Sequence, residues 1–306
     1  MRRLPLALAL SALLPFVALA QAEPAAKGTK YRSAKEIIDA APDSAWRDLD
    51  PANTLYMELP AGRVVIELAP GFAPEHVANI KTMAKGGFWD GTSIYRAQDN
   101  FVVQFGDVDA DDAAKAKKHP AGTKEKLPAE FTRKGPAKFD RLKDKDGWAP
   151  QVGFTDGFAV GHDPAKKETW IAHCYGALGA GRNNAPDSSI GAELYVVIGQ
   201  APRALDKQLT MVGRVVQGMS LLSATPRGPE PMGFYEDPAQ RAPITAIRLA
   251  SDVPAAERTN LQILRTDSQA FIDATEARRN RKDDFYTIPA GHIDLCNVPL
   301  PVRTKK

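Results

Sequence analysis

Apolar and polar residues alternate in short runs from residue 53 onward, and this period of two predicts β-strands. Residues 54–59 and 63–68 form the first pair of runs, and the turn residues 60–62 between them indicate a β-hairpin. Further strands are predicted at 93–96, 100–107, 194–198, 210–216, 244–249 and 261–264. Many short strands with few helices are typical of a β-barrel or a β-sandwich.

Helical spacing of apolar residues occurs in only a few places. Val77, Ile80 and Ala84 lie on one face of a helix that begins at Pro74 and ends before Gly86. Two further helices are predicted by capping-box spacing, in which a Ser or Thr precedes a Glu or Gln by three residues. These pairs are Ser33 with Glu36, and Thr266 with Gln269.

Two stretches lack such periodicity. Residues 108–169 contain runs of acidic and basic residues and predict a long, solvated loop insertion. Residues 288–306 are punctuated by prolines and predict an extended arm.

The N-terminus has the pattern of a secretory signal peptide. A basic start precedes an apolar run from residue 4 to residue 20, with the small residues Ala18 and Ala20 at a cleavage site. The alternative is a membrane anchor, but two prolines interrupt a run that is short for a bilayer span. We therefore expect an exported protein, periplasmic or secreted, that is soluble and free of the membrane once the signal is removed.

Charge and composition narrow the class of function. The 306 residues carry 40 Lys and Arg against 37 Asp and Glu, and this near balance argues against a nucleic-acid partner. Two cysteines are too few for a disulfide framework or a four-cysteine zinc site, and the five histidines are scattered. We therefore expect no metal.

One segment carries the chemistry. On the predicted strands, Arg96 is followed by Phe101, Gln104 and Asp107. This arrangement resembles the signature of the cyclophilin-type peptidyl-prolyl isomerases. Eight further segments are similar to family motifs and occur in the family's order: 62–68, 73–79, 86–92, 127–131, 179–182, 186–188, 193–195 and 212–219.

The resemblance implies a fold and a division of the chain. It implies a closed antiparallel eight-stranded β-barrel capped by two helices. The division is a signal peptide at 1–20, an N-terminal extension at 21–52, an isomerase domain at 53–250 with the insertion at about 108–169, and a C-terminal helical extension at 251–306.

The resemblance also implies rotation about X–Pro bonds, without a cofactor. Conjugation between the carbonyl and the nitrogen lone pair opposes that rotation with a barrier of about 18–20 kcal/mol. A guanidinium that donates to the prolyl nitrogen favours the twisted state, in which the lone pair is localised. The resemblance assigns this role to Arg96, and it implies proline-containing polypeptides as clients, with a monomer favoured.

The resemblance assigns further residues to the site. Phe101 and Gln104 join Arg96 as catalytic residues. The expected substrate-binding residues are Val102, Gly181, Arg182, Glu193, Tyr195 and Leu205. Among them Val102, Tyr195 and Leu205 would contact the proline ring, together with Phe101, and Gly181 and Arg182 would bind the peptide backbone.

The sequence departs from the family pattern at the cleft. Val102 replaces a Met, Phe105 a Gly, Glu193 a Gln and Tyr195 a Phe, and a Trp and a His are absent from 204–209. These departures leave a second interpretation, a chaperone or peptide-binding module with weak or no turnover. A third is a structural interaction protein that acts through the insertion and the tail.

Two cysteines admit two interpretations. Cys174 lies just before the predicted cleft segment at 179–182, and Cys296 lies in the arm. An exported protein would allow them to form a disulfide. The alternative is a pair of buried free thiols.

Overall fold

The computed structural model describes residues 31–135 and 138–305, so the predicted signal peptide lies outside the described residues. The α-helices in this part of the chain are α1 (Ala34–Asp39), α2 (Pro74–Lys85), α3 (Met219–Ser223) and α4 (Gln269–Arg279). None of the helices described has the length and apolar character needed to cross a membrane.

The strands account for most of the regular structure. In chain order they are β1 (Trp46–Asp48), β2 (Thr54–Leu59), β3 (Gly62–Leu68), β4 (Ser93–Ala97), β5 (Val102–Gly106), β6 (Arg133–Lys134), β7 (Asp140–Leu142), β8 (Gln151–Thr155), β9 (Phe158–Asp163), β10 (Glu168–Ile171), β11 (Ala177–Ala180), β12 (Leu194–Val197), β13 (Thr210–Gln217), β14 (Ala242–Pro243), β15 (Ala246–Leu249), β16 (Leu261–Leu264) and β17 (Val302–Thr304). They form three antiparallel sheets.

The largest sheet has nine strands in the order β14-β4-β5-β12-β11-β13-β3-β2-β15. Alternate side chains of its strands point into one core, where Ile66, Phe105 and Val196 are fully buried. Helix α2 adds Ile80 and Met83 to the same core. Successive side chains of these strands are therefore divided between this core and the outer face of the sheet, which carries apolar clusters of its own.

The sheet is curled but open, so the expectation of a closed eight-stranded barrel is not confirmed. Its edge strands β14 and β15 do not pair with each other. Between them, the N–H of Ile244 donates to the carbonyl of Thr92, and the N–H of Thr245 donates to the carbonyl of Glu58. Ile244 and Thr245 therefore bond to the two edges of the sheet separately and do not join them. Pro243 has no backbone N–H to donate to a neighbouring strand. The mainly β fold with few helices is as predicted.

The expectation of a loop insertion is wrong for its second half. Strands β6 to β10 form a five-stranded sheet in the order β6-β10-β9-β8-β7. Asp156 and Gly157 join β8 to β9 with φ angles of 54° and 83°. An Asp-Gly pair with positive φ at both residues is a preferred two-residue hairpin turn. The charge runs on either side obscured this signal.

The two extensions share the third sheet. Strand β16 pairs with β1 on one side and with β17 on the other, so the N-terminal and C-terminal segments form one layer. The capping box of α1 is formed by Ser33 and Glu36 as predicted. The cap of α4 is Ser268 and not Thr266, whose hydroxyl donates to Asp140 across 2.9 Å.

The two cysteines are joined. Cys174 follows β10, and Cys296 lies in the C-terminal segment, 122 residues further along the chain. The disulfide ties the C-terminal extension to the segment that leads from the insertion into β11.

Candidate functional site

The candidate site lies on the outer face of the large sheet, where β4, β5 and β12 are neighbours. Val103 and Phe105 of β5 point into the core, so Gln104 between them points outward. A bulge in β4 between Ile94 and Arg96 interrupts the alternation of that strand. Because of the bulge, the consecutive residues Tyr95 and Arg96 both reach Gln104 on this outer face.

Arg96 is held from several sides. Its Nε donates to the carbonyl oxygen of Met232 across 2.7 Å, and its Nη1 donates to Oε1 of Gln104 across 3.1 Å. Its Nη2 donates to Gln98. The guanidinium lies 4.8 Å from the ring centre of Phe234 and 5.7 Å from that of Phe101. Arg96, Gln104 and Phe101, the three predicted catalytic residues, are therefore brought together.

Burial affects Arg96 without neutralising it. The side chain is half-buried, and this burial lowers the pKa of the guanidinium from its usual value. An arginine starts so far above neutrality that the guanidinium stays charged. The site therefore holds a permanent, oriented cation.

A chain of hydrogen bonds runs from Arg96 to a carboxyl group. Nε2 of Gln104 donates to the Tyr95 hydroxyl across 2.7 Å, and this hydroxyl donates to Oε2 of Glu193 across 2.6 Å. The other carboxyl oxygen, Oε1, accepts the backbone N–H of Asp107 across 2.7 Å. Burial raises the pKa of Glu193 to about 7, and the nearby carboxylate of Asp107 adds to the rise.

A cavity of about 510 Å³ opens beside this chain. Gln104, Gly181, Arg182 and Glu193 all line it, so four predicted site residues share one concave surface. The N–H of Gly181 donates to the carbonyl oxygen of Glu193 across 2.8 Å. The guanidinium of Arg182 donates its Nε to the carbonyl of Gln208 across 2.8 Å.

The predicted proline-contacting residues are distributed differently. Val102 and Tyr195 are 2% and 5% exposed and belong to an apolar cluster on the outer face. Phe158 and Val160 from the insertion sheet belong to the same cluster. Leu205 lies apart from them, in a shallow depression with Arg182 and Leu209. The insertion sheet thus packs where the resemblance predicted an exposed pocket wall.

Tyr195 has a buried polar partner. Its hydroxyl is 2.8 Å from Nε2 of His173, and Nδ1 of His173 is 3.0 Å from a carboxylate oxygen of Asp206. The Asp206 carboxylate also accepts from Nε1 of Trp170 and Nε of Arg203, across 3.1 and 2.6 Å. Burial opposes ionisation of Asp206, but the bonds from His173 and the charge of Arg203 hold its pKa below the usual value.

Sequence reasoning missed several of these residues. Tyr95 lies inside the recognised motif, directly beside Arg96. Strict alternation would place the side chains of two neighbouring residues on opposite faces, so it concealed that Tyr95 shares the face of Arg96. Three other residues are far from Arg96 in the sequence and come close to the site only in the folded chain: His173, Asp206 and Phe234. Within residues 31–135 and 138–305, no group of three or more His, Cys, Asp or Glu side chains is arranged to hold a metal.

Comparison with known proteins identifies a family over the segment that carries the candidate site. The sequence model of the family "Cyclophilin type peptidyl-prolyl cis-trans isomerase/CLD" matches residues 54–249. A probable peptidyl-prolyl cis-trans isomerase of Brucella suis is 30% identical over 183 residues, 59% of this chain and 75% of the relative. The human peptidyl-prolyl cis-trans isomerase-like 1 is 25% identical over 217 residues, 71% of this chain and 98% of the relative.

A solved structure extends the likeness in fold. The crystal structure of cyclophilin AquaCyp293 from Hirschia baltica superposes with a TM-score of 0.66 at 23% identity. The superposition covers 90% of this chain and 99% of the other, which is more than the segment that the family model matches. The match over 54–249, with the Arg96 and Gln104 pair inside it, shows that this chain belongs to the cyclophilin-type peptidyl-prolyl cis-trans isomerases.

Proposed function

We propose that the protein isomerises X–Pro bonds of exported polypeptides and so assists their folding. The observation that carries the proposal is the contact between Arg96 and Gln104 beside the ring of Phe101. It places a permanent cation, an amide and an aromatic face on one surface, next to a cavity large enough for a peptide side chain.

The proposed mechanism uses differential binding. Arg96 donates to the prolyl nitrogen as the amide twists, because the localised lone pair is a better acceptor than the conjugated one. Phe101 packs against the proline ring, and Gln104 orients Arg96 and bonds the substrate backbone. Backbone groups around Gly181 and Arg182, other than the Gly181 N–H that bonds to Glu193, bind the extended chain. No covalent intermediate is needed.

Export is the second part of the proposal. The signal-like N-terminus and the Cys174–Cys296 disulfide both suit an oxidising compartment such as a periplasm. We propose unfolded proline-containing proteins in that compartment as the clients.

The test measures by NMR the rate of cis–trans exchange of a short Ala-Pro peptide. The protein is added without its predicted signal peptide. Acceleration by the parent protein should fall by about 100-fold in Arg96→Ala, the usual scale for losing a preorganised donor. Arg141→Ala, an exposed position on β7, is the matched control and should keep the full rate. A folded parent with no acceleration would refute the isomerase.

A second candidate function is a peptide-binding module without turnover. The burial of Val102 and Tyr195 favours it, because those residues are not free to contact a proline ring. This function would be identified if the NMR resonances of the peptide broaden or shift when the protein is added, while the cis–trans exchange rate of the peptide does not increase.

A further inference from the structure

We propose that Glu193 is a positioning residue that sets, through Tyr95, which end of the Gln104 amide faces Arg96. The inference deepens the proposed isomerase function and rests on it for its effect on rate. Glu193 stays out of contact with the reacting bond in this proposal and acts only through the hydrogen-bond chain.

The direction of each hydrogen bond follows from the chemistry of the groups. An ionised carboxylate only accepts, so the Tyr95 hydroxyl must donate its single proton to Glu193. The Tyr95 oxygen can then only accept, so Gln104 must present its NH₂ group to Tyr95. The carbonyl end of the amide is left to face Arg96, which only donates.

The local backbone makes room for this carboxylate. A Cβ on Gly106 would lie 2.2 Å from Oε2 of Glu193, so a larger residue at this position would displace the carboxylate from its present place. The N–H of Asp107, the next residue, then donates to Oε1. Both carboxylate oxygens thus have a donor, one from the backbone of the segment after β5 and one from Tyr95.

Protonation of Glu193 reverses the order. A carboxylic acid can donate its own proton to Tyr95, which frees the Tyr95 proton for Gln104. The Gln104 amide then accepts from Tyr95 with its oxygen and turns its NH₂ group toward the guanidinium. Two donors face each other, and Arg96 loses a bond that orients it.

The surroundings determine where this happens on the pH scale. Charged or titratable groups that face Glu193 or line the same cavity are Tyr95, Asp107, Asp111, Lys117, His119 and Arg182. Burial and the negative charges of Asp107 and Asp111 bring the pKa of Glu193 to about 7. The carboxylate form, and with it the ordered chain, is therefore favoured above neutral pH and lost below it.

The first measurement reads the amide directly. The side-chain NH₂ resonances of Gln104 in the free protein, assigned by their loss in Gln104→Glu, should titrate with a midpoint near the pKa of Glu193, about 7. Glu193→Gln and Tyr95→Phe should abolish the titration. His119→Asn should leave the midpoint unchanged, which separates Glu193 from the one histidine on the cavity wall.

The second measurement reads the rate. Isomerisation by the parent should fall about threefold to tenfold from about pH 8 to about pH 5.5, as one orienting hydrogen bond is lost. Glu193→Gln has one acceptor oxygen for two donors, so its rate should stay near the low-pH level of the parent at every pH. Tyr95→Phe should likewise lose the pH dependence.

Two results would overturn the proposal. One is a Gln104 amide that does not titrate, or that still titrates in Glu193→Gln. The other is a pH profile of Glu193→Gln that matches the parent. A protein without isomerase activity at any pH would refute the proposed function instead, while the resonance titration would still decide the role of Glu193.

Discussion

Single buried residues link the candidate site to the rest of the molecule. Asp206 accepts from His173, Trp170 and Arg203, and His173 in turn contacts the Tyr195 hydroxyl. The replacement of the family's Phe by Tyr195 therefore does not leave an unpaired hydroxyl in an apolar cluster. The polar group is matched by a histidine from the segment after β10, held by a buried carboxylate.

Removing the charge of Asp206 should destabilise the fold. Asp206→Asn leaves His173 without its carboxylate partner and leaves Arg203 with only the carboxylate of Asp146. We expect a loss of about 3 kcal/mol at neutral pH. Because folding depresses the pKa of Asp206, the contribution of its ionised form is present above the unfolded pKa of about 3.9 and is lost as the pH falls further.

Urea unfolding at neutral pH and at about pH 3.5, below the unfolded pKa, measures both effects. The deficit of Asp206→Asn should shrink at the lower pH. Asp39→Asn, which breaks an exposed pair with Lys35 on α1, is the control and should cost less than about 1 kcal/mol. Equal stability of Asp206→Asn and the parent at neutral pH would count against the network.

At the scale of elements, the segment that leads into the insertion sheet supports the isomerase domain. Glu130 accepts the backbone N–H groups of Glu75 and His76, in the first turn of α2, across 3.0 and 2.9 Å. Ala73 at the N-cap offers no side-chain bond to this helix. A carboxylate at a helix N-terminus both caps free N–H groups and complements the helix dipole.

Glu130→Ala should therefore destabilise the protein by about 2 kcal/mol, the upper range for loss of a helix cap. The expected change is a lower midpoint of urea unfolding at pH 7 with an unchanged slope. Glu125→Ala removes an exposed partner of His119 on the same segment and should shift the midpoint much less. If both variants unfold at the same urea concentration, the cap contributes nothing.

At the scale of the whole molecule, three sheets and one disulfide join segments far apart in sequence. The Cys174–Cys296 bond closes a loop of 122 residues. The two extensions meet in the sheet of β1, β16 and β17. Residues outside the segment of the family match are thereby anchored to the domain that carries the site.

Reduction of the disulfide should lower the free energy of unfolding by about 4–5 kcal/mol in the chain-entropy description. The comparison is urea unfolding of the parent with and without reductant. The double variant Cys174→Ser, Cys296→Ser is the control, because its midpoint should be low and insensitive to reductant. A parent whose midpoint does not respond to reductant, with the bond shown to be reduced, would contradict the expectation.

Local pattern was sufficient for much of this protein. Short apolar and alternating runs predicted seven of the nine strands of the large sheet, all but β11 and β14. Helical spacing predicted α2, and the motif around Arg96 and Gln104 predicted the family and the candidate site residues. These signals lie within a few neighbouring residues, and the physics that produces them, side-chain alternation and capping, is equally local.

Tertiary structure decided the rest. The opening between β14 and β15, the hydrogen-bond chain from Arg96 to Glu193 and the burial of Tyr195 beside the insertion all join residues far apart in sequence. Sequence predicted Glu193 as a site residue but not its partner Tyr95, because the bulge in β4 breaks the alternation that predicts which way a side chain points. Packing and hydrogen-bond direction depend on which segments meet, and only the folded chain determines that.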